Sequence, residues 1–192
     1  MIQLRSADDR GFADHGWLQA RHSFSFADYY DPDHMCWGVL RVINEDRIAP
    51  GQGFGRHGHR DMEIVTYILS GALEHRDSLG NGGIIRRSEV QRMSAGKGIL
   101  HSEFNPQPDR ETHLLQIWIE PARRGDAAGY EQLALAETAM RDRWCLVASP
   151  DGAAGSATIG QDARLWASLL SAGEQIDYSL GAGRLGYVQV IS

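Results

Sequence analysis

Short β-forming runs separated by glycine-containing turns constrain the fold of this 192-residue chain more than any other feature. Glycine occupies 22 positions, and the runs between the glycines carry β-branched or aromatic residues. The predicted strands cover residues 37–43, 63–69, 72–77, 84–87, 90–93, 99–103, 113–119, 130–133, 145–149, 157–159, 165–169, 175–179 and 185–191. One short helix is predicted at 137–141. Many short strands with so little helix are typical of an antiparallel sandwich or barrel, and the sequence therefore predicts an all-β fold.

The charge balance excludes some classes of partner. Lys and Arg number 19 against 25 Asp and Glu, so the net charge is -6, and no run of basic residues could form a nucleic-acid groove. The longest apolar runs, 64–69 and 114–119, are far shorter than the roughly 18 residues of a membrane helix. The first ten residues lack the apolar region of a signal peptide. We therefore expect a cytoplasmic protein that binds neither nucleic acid nor membrane.

The chain is expected to form two units. Residues 122–129 are small or polar and follow Pro121, which indicates a connection between a unit at 1–125 and a second unit at 126–192. The last predicted strand has no turn or partner strand after it. Either the second unit is incomplete, or this strand pairs back onto the first unit. An unpaired edge in the second unit would favour dimerisation.

Histidine and cysteine positions limit where a metal could bind. The last of the eight histidines is His113, whereas Cys36 and Cys145 are too isolated to form a zinc ribbon or a redox pair. Any imidazole site must therefore lie in the first unit. The second unit is expected to be metal-free and structural.

Two short motifs in the first unit repeat the same spacing. His57 and His59 are separated by one residue, as are His101 and Glu103. On a strand, residues two apart point to the same face, so neighbouring strands would bring all four side chains together. Three imidazoles and one carboxylate suit Fe(II), Mn, Co, Ni, Cu or Zn, and octahedral coordination would leave positions open for a substrate and O2. A lone His-x-His pair often arises by chance, but glycines precede both pairs and allow close backbone approach.

Longer motifs carry a resemblance to a known family. Beyond the two metal motifs they are HGWL at 15–18, HSFSFA at 22–27, YYDP at 29–32, LRVIN at 40–44, HRDMEIVTY at 59–67 and MSAGKGILHSEFN at 93–105. Across about residues 2–120 the sequence resembles the pirin family of the cupin superfamily, and the likeness is looser but collinear from Tyr130 onward. The resemblance implies a bicupin: an antiparallel jelly-roll barrel that binds metal, followed by a second cupin domain, here shortened.

The resemblance also implies a ligand set and an activity. The ligands would be His57, His59, His101 and Glu103, around a metal that is usually iron. Most cupins instead use the glutamate at the position of Glu63, and residue spacing alone does not exclude it. Several pirins are quercetin 2,3-dioxygenases, which open a flavonol ring with O2, and Glu103 would then be the catalytic proton acceptor. The alternative is a non-enzymatic, redox-sensing regulator that acts through a protein partner.

The remaining candidates have competing interpretations. Phe24, Phe26, Tyr29 and Tyr30 could line an apolar mouth over the metal, although core and edge packing is the favoured explanation for any one of these rings. Asn105 is expected to form a turn, and Asp61 and Glu63 are expected either to accept hydrogen bonds from ligating imidazoles or to be solvated or capping groups. The histidines expected to be structural, and therefore left out of the site, are His22, His34, His75 and His113.

Overall fold

A computed structural model describes residues 2–191, and nearly all of its regular structure is β-strand. The strands are β1 (Gly11–Asp14), β2 (Leu18–His22), β3 (Leu40–Ile48), β4 (Gly53–His59), β5 (Glu63–Ser70), β6 (Ala72–Asp77), β7 (Gly82–Arg86), β8 (Glu89–Ser94), β9 (Ile99–Phe104), β10 (Thr112–Ile119), β11 (Gly129–Ala134), β12 (Cys145–Ser149), β13 (Ala157–Thr158) and β14 (Leu165–Ala167). A four-residue helix, α1 (Glu137–Met140), and a 3₁₀ turn at Ala153–Gly155 complete the elements. Among residues 2–191, no helix has the length and apolar character needed to cross a bilayer.

Two sheets enclose the first core. The large sheet has seven strands in the order β1-β2-β3-β10-β5-β8-β11, and the small sheet has four in the order β4-β9-β6-β7. Ile48, Ile68 and Leu114 of the large sheet pack against Leu73 and Ile85 of the small sheet. Every pairing in these two sheets is antiparallel, as the predicted barrel requires.

The outer face of the large sheet is also buried. There, Val65 and Ile117 belong to a second apolar core that includes Met140, Val147 and Ile159 from the C-terminal part. That part carries a three-stranded sheet in the order β13-β12-β14. Because both faces of the large sheet are covered, β5 and β10 are buried along most of their length instead of alternating.

Most of the strands predicted from the sequence are observed in the structure, with small differences in their bounds. The all-β prediction is confirmed, and β6 has the predicted bounds, while α1 ends one residue before its predicted end. The predicted strand at 37–43 is observed as β3, which begins at Leu40, and β1, β2 and β4 were not predicted. The boundary predicted near residue 125 stays a prediction; β11, which follows it, pairs with β8 of the large sheet.

Two predicted strands near the C-terminus are wrong. Residues 175–179 and 185–191 have no strand in the described part of the chain. Val188 and Val190 are 76% and 80% exposed. Without a neighbouring strand to accept the backbone hydrogen bonds, β-forming residues alone do not produce a ladder.

Candidate metal centre

Three histidines converge on the inner side of the small sheet. His57 and His101 are directly paired across β4 and β9, and a bulge between Phe54 and His57 sets this register. The Nε2 atom of His101 lies 3.0 Å from Nε2 of His57 and 2.9 Å from Nε2 of His59. The two pairs predicted from the period-two spacing are therefore on neighbouring strands, and their imidazoles meet.

The distances between these imidazoles fit a shared metal ion. Adjacent ligands at bonds of about 2.1 Å and right angles are about 3 Å apart, which is the observed separation of the nitrogens. The Nδ1 atom of His57 lies 2.8 Å from the carbonyl oxygen of Gly55, to which it donates, so its Nε2 keeps a free lone pair. A divalent transition metal is therefore compatible with the residues present.

Burial keeps two of these imidazoles neutral. Burial is the larger cause, and together with the neighbouring imidazole of His57 it lowers the pKa of His59 to about 4 and that of His101 to about 3. At neutral pH the ring nitrogens of His59 and His101 are thus available as ligands, since a protonated imidazole cannot bind a metal.

Glu103 lies beside this trio, on the same strand as His101. It is 3% exposed, and the Nε2 atom of Gln116 donates to its two carboxylate oxygens at 3.2 and 3.1 Å. Burial raises the pKa of Glu103 to about 7, against the opposing effect of the hydrogen bond from Gln116. A ligand atom of Glu103 lies within 4.8 Å of His101 and His75, in a second group that shares His101 with the first. The role of the four predicted residues as one ligand set stays a prediction.

Glu63, the alternative carboxylate, faces the other way. Its neighbours Ile64 and Thr66 on β5 point into the barrel, so Glu63 lies on the outer face of the large sheet. There its carboxylate accepts a hydrogen bond of 2.6 Å from Ser94, and it belongs to neither group of potential ligands. In the described structure the arrangement favours Glu103 over Glu63.

Two other expected roles concern turns. The side chain of Asn105 donates to the backbone oxygens of Ile48 and Arg110 and accepts from the nitrogen of Gln107, so it holds a turn as expected. Asp61 has a left-handed backbone with φ 48°, and its carboxylate accepts a 2.7 Å hydrogen bond from the nitrogen of Gly125. Asp61 therefore has the capping role, one of its two proposed interpretations.

His75 is the residue that sequence reasoning excluded and the structure brings to the site. It is fully buried on β6, and its Nδ1 lies 3.4 Å from Nδ1 of His101. The missed signal was its own period-two partner, Asp77, whose carboxylate lies 3.3 Å from Nε2 of His75. His22 and His113 do have the expected structural contacts, with Asn44 and Glu45 respectively.

An aromatic wall, formed by Trp118 and Phe26, lies next to His59. The ring of Trp118 meets His59 edge to face at 4.9 Å, and Phe26 meets Trp118 in the same way at 5.3 Å. Of the four aromatic residues considered from the sequence, only Phe26 takes part in this stack. Phe24 belongs to the outer core, and Tyr30 is exposed.

A row of polar side chains crosses the large sheet opposite the histidines. The register aligns one residue from each of five consecutive strands, and the first two are joined by a 2.9 Å hydrogen bond. The row consists of His22, Asn44, Gln116, Thr66 and Gln91. Only the cross-strand register reveals it, because these residues are scattered along the sequence. The barrel is therefore polar at the level of the candidate site and apolar below it.

Comparison with known proteins places these features in a family context. Residues 4–119 match a family profile described as Pirin, and residues 146–192 match one described as the quercetinase C-terminal cupin domain. The chain is 48% identical over 191 residues to a quercetin 2,3-dioxygenase of Escherichia coli K12, covering 100% of this chain and 81% of that protein. It is 46% identical over 189 residues to a pirin-like protein of Caulobacter vibrioides, with 98% and 81% covered.

A solved structure also matches this chain in both sequence and fold. The bacterial pirin YhhW of Escherichia coli in complex with nickel(II) superposes with a TM-score of 0.82 at 51% sequence identity. The match covers 86% of this chain and 70% of that chain. The fold described above is thus shared with a protein that holds a divalent metal.

Proposed function

Because the chain belongs to the pirin family, we propose that it is a metal-dependent dioxygenase that opens the ring of a flavonol such as quercetin with O2. The observation that carries the proposal is the convergence of three imidazoles beside a buried carboxylate, with an aromatic wall next to them. The related protein of Escherichia coli named quercetin 2,3-dioxygenase supports the choice of substrate.

The proposed metal is iron(II), held by His57, His59, His101 and Glu103. This mixed nitrogen and oxygen donor set also accepts Mn, Co, Ni, Cu or Zn, and the nickel(II) complex of a relative supports a divalent ion. When bound, such a metal would supply a Lewis-acidic centre for the reaction of a flavonol with O2.

The proposed catalytic residue is Glu103. A flavonol loses its 3-hydroxyl proton more readily when a carboxylate accepts that proton, and Glu103 is the only carboxylate in either group of potential ligands among residues 2–191. Its amide partner Gln116 holds the carboxylate in one orientation from the opposite sheet.

Substrate binding is assigned to the aromatic wall. A flavonol is flat and aromatic, and the rings of Trp118 and Phe26 present the apolar surface that such a molecule packs against. Since Trp118 contacts His59 directly, a ring bound against it would lie next to the proposed metal ligands.

Turnover with measured metal content tests the proposal. Protein purified without chelator and loaded with Fe, Mn, Co, Ni or Cu is incubated with quercetin, and O2 uptake and flavonol absorbance are followed together. We expect stoichiometric loss of O2 and flavonol with at least one metal. Fully loaded protein that consumes neither would defeat the dioxygenase proposal and leave the regulatory role, in which the metal is a redox-sensitive structural element acting on a protein partner.

The expected cellular location belongs to the same proposal. Both cysteines are free thiols, with Cys36 exposed and Cys145 partly buried. Free thiols are typical of the reducing cytoplasm, which supports a cytoplasmic protein.

A further inference from the structure

We propose that Asp77 and His75 form a positioning pair that fixes the tautomer of His101 and so sets its affinity for metal. The inference rests on the proposed metal site, because it assigns His101 the role of ligand through Nε2. Neither Asp77 nor His75 is needed as a ligand; both act through the far side of the His101 ring.

The chain of contacts begins at the turn between β6 and β7. Oδ1 of Asp77 accepts hydrogen bonds of 2.9 and 3.0 Å from the backbone nitrogens of Leu79 and Asn81, and Oδ2 accepts one of 3.0 Å from the amide of Asn81. The side chain of Asp77 is completely buried. These bonds hold the carboxylate rigidly, with Oδ2 directed at Nε2 of His75 at 3.3 Å.

The ring of His75 is fixed from two further sides. It stacks on Tyr130 of β11 with the ring centres 5.0 Å apart and the planes inclined by 25°. The amide nitrogen of Gln91 lies 3.2 Å from its Nδ1. A carboxylate accepts from Nε2 and an amide donates to Nδ1, so His75 carries its proton on Nε2 and offers Nδ1 as an acceptor.

This acceptor faces the proposed ligand. Nδ1 of His101 lies 3.4 Å from Nδ1 of His75, at the long end of the hydrogen-bond range. His101 and Gln91 share the single lone pair of His75 Nδ1, and donation from His101 to it keeps the proton of His101 on Nδ1 and leaves its Nε2 lone pair directed at the site. Histidines that bind metals are typically oriented in this way by an acceptor on the other ring nitrogen, and loss of that acceptor costs about 10–100-fold in affinity.

Replacement of the carboxylate by an amide reverses this arrangement. In Asp77→Asn the backbone nitrogens of the turn retain the oxygen at the Oδ1 position, which turns the amide nitrogen toward His75. The side-chain amide of Asn81, which donates to Oδ2 in the wild type, then turns over so that its oxygen accepts from the new amide. His75 must then accept at Nε2 and donate from Nδ1, and His101 must accept at Nδ1 and carry its proton on Nε2. We expect Asp77→Asn to weaken Co(II) binding by about 10–100-fold and to shift the visible absorption bands of the bound Co(II).

Glu45→Gln is the matched control. The carboxylate of Glu45 accepts a 3.0 Å hydrogen bond from buried His113 on the outer face of the large sheet, so the chemical change is the same. We expect this variant to lose stability without losing Co(II) affinity, which is measured by competition with a chelator. Thermal unfolding of both metal-free variants separates a general loss of structure from a specific loss of binding.

Variants of His75 distinguish positioning from direct coordination. His75→Gln keeps an acceptor oxygen and should retain more Co(II) affinity than His75→Leu, and adding Asp77→Asn to His75→Leu should cause no further loss. Asp77→Asn with wild-type affinity would overturn the proposal. So would loss of metal in both His75→Gln and His75→Leu while Asp77→Asn still binds it, because that result would make His75 a ligand. If His101→Ala binds Co(II) normally, the proposed metal site is wrong. If His101→Ala is the only one of these variants that loses Co(II), the metal site is supported and the positioning pair is wrong.

Discussion

The small sheet and the large sheet of the barrel differ in how much of each is buried. The large sheet is covered on both faces, by the barrel core and by the C-terminal part. The small sheet is covered on one face only: on its outer side Leu100 and Phe104 are 43% and 38% exposed. Yet the small sheet holds the three converging histidines and the candidate carboxylate, whereas the large sheet provides most of the apolar contacts.

This difference assigns the candidate metal site to the small sheet and most of the stability of the fold to the large sheet. Substitutions of the histidines and the carboxylate on the small sheet should remove metal or turnover from a folded protein. Substitutions of the apolar core residues of the large sheet should unfold a protein whose ligands are intact. Changes of the same chemical type on the two sheets therefore test whether this division is real.

The largest effect is expected from His101→Ala. His101 is the residue that both groups of potential ligands share, and its loss should abolish metal binding and turnover together. We expect an affinity loss greater than about 100-fold, since removing a ligand costs more than removing its hydrogen-bond partner. Metal content by elemental analysis and circular dichroism of the metal-free protein check the prediction. Retention of stoichiometric metal would contradict it.

Glu103→Gln should reduce turnover far more than metal content. The amide keeps the size of the side chain but cannot accept the flavonol proton, so the rate should fall by about 10²- to 10⁴-fold while three imidazoles retain the metal. Glu63→Gln on the outer face of the large sheet is the matched control and should keep wild-type turnover. Similar rates for wild type and Glu103→Gln at equal metal content would exclude Glu103 as the base.

Ile117→Ala should act on stability instead of chemistry. Ile117 is 4% exposed in the core between the large sheet and the C-terminal part, and its truncation should cost about 2–5 kcal/mol of unfolding free energy. Denaturant unfolding measures the cost, and the folded fraction should bind metal normally. Leu100→Ala on the exposed face of the small sheet should change stability by less than about 0.5 kcal/mol. Equal losses in the two variants would erase the contrast between the sheets.

The sequence predicted the site better than its surroundings. Period-two spacing places His57 with His59 and His101 with Glu103, because the alternation of a strand is a local property. The register that brings β4 beside β9 is not local, since a bulge and a 42-residue separation between His59 and His101 decide it. For the same reason neither the polar row on the large sheet nor the contact of His75 was evident.

The fold shows the same division between local and non-local information. Strands such as β6 were predicted accurately because their residue types favour β-structure by themselves. The predicted strands at 175–179 and 185–191 are wrong because a strand also needs a partner, which no residue pattern supplies. The glycine-rich strand β4 was missed because glycine disfavours strands on average, although here it allows β4 to approach β9.

A smaller effect than that of Ile117→Ala is expected from Asp46→Asn, which concerns the inner face of the large sheet. Asp46 is fully buried with an oxygen that has no hydrogen-bond partner, and burial, together with the charges of Glu103 and Glu45, raises its pKa to about 8. Between about pH 4 and pH 8 the folded protein therefore binds a proton that the unfolded chain has released. The contribution of Asp46 to stability should fall as the pH rises through this range.

Asp46→Asn should remove this dependence of stability on pH. At pH 8 the metal-free Asp46→Asn protein should be more stable than wild type by about 1–3 kcal/mol, and the difference should shrink toward pH 4. Urea unfolding at several pH values provides the measurement. A difference that is constant across the range would show that the carboxyl of Asp46 does not take up a proton on folding.

The position of β11 determines how long a segment a gene fusion must carry to keep the candidate site intact. Although β11 lies beyond the segment that matches the first family profile, it pairs with β8 and places Tyr130 against His75. A gene fusion that joined only residues 4–119 to a foreign partner would carry every histidine of the site but would leave the edge of β8 unpaired and one face of His75 uncovered. The unit that can be inherited intact is therefore longer than the segment with the recognisable motifs.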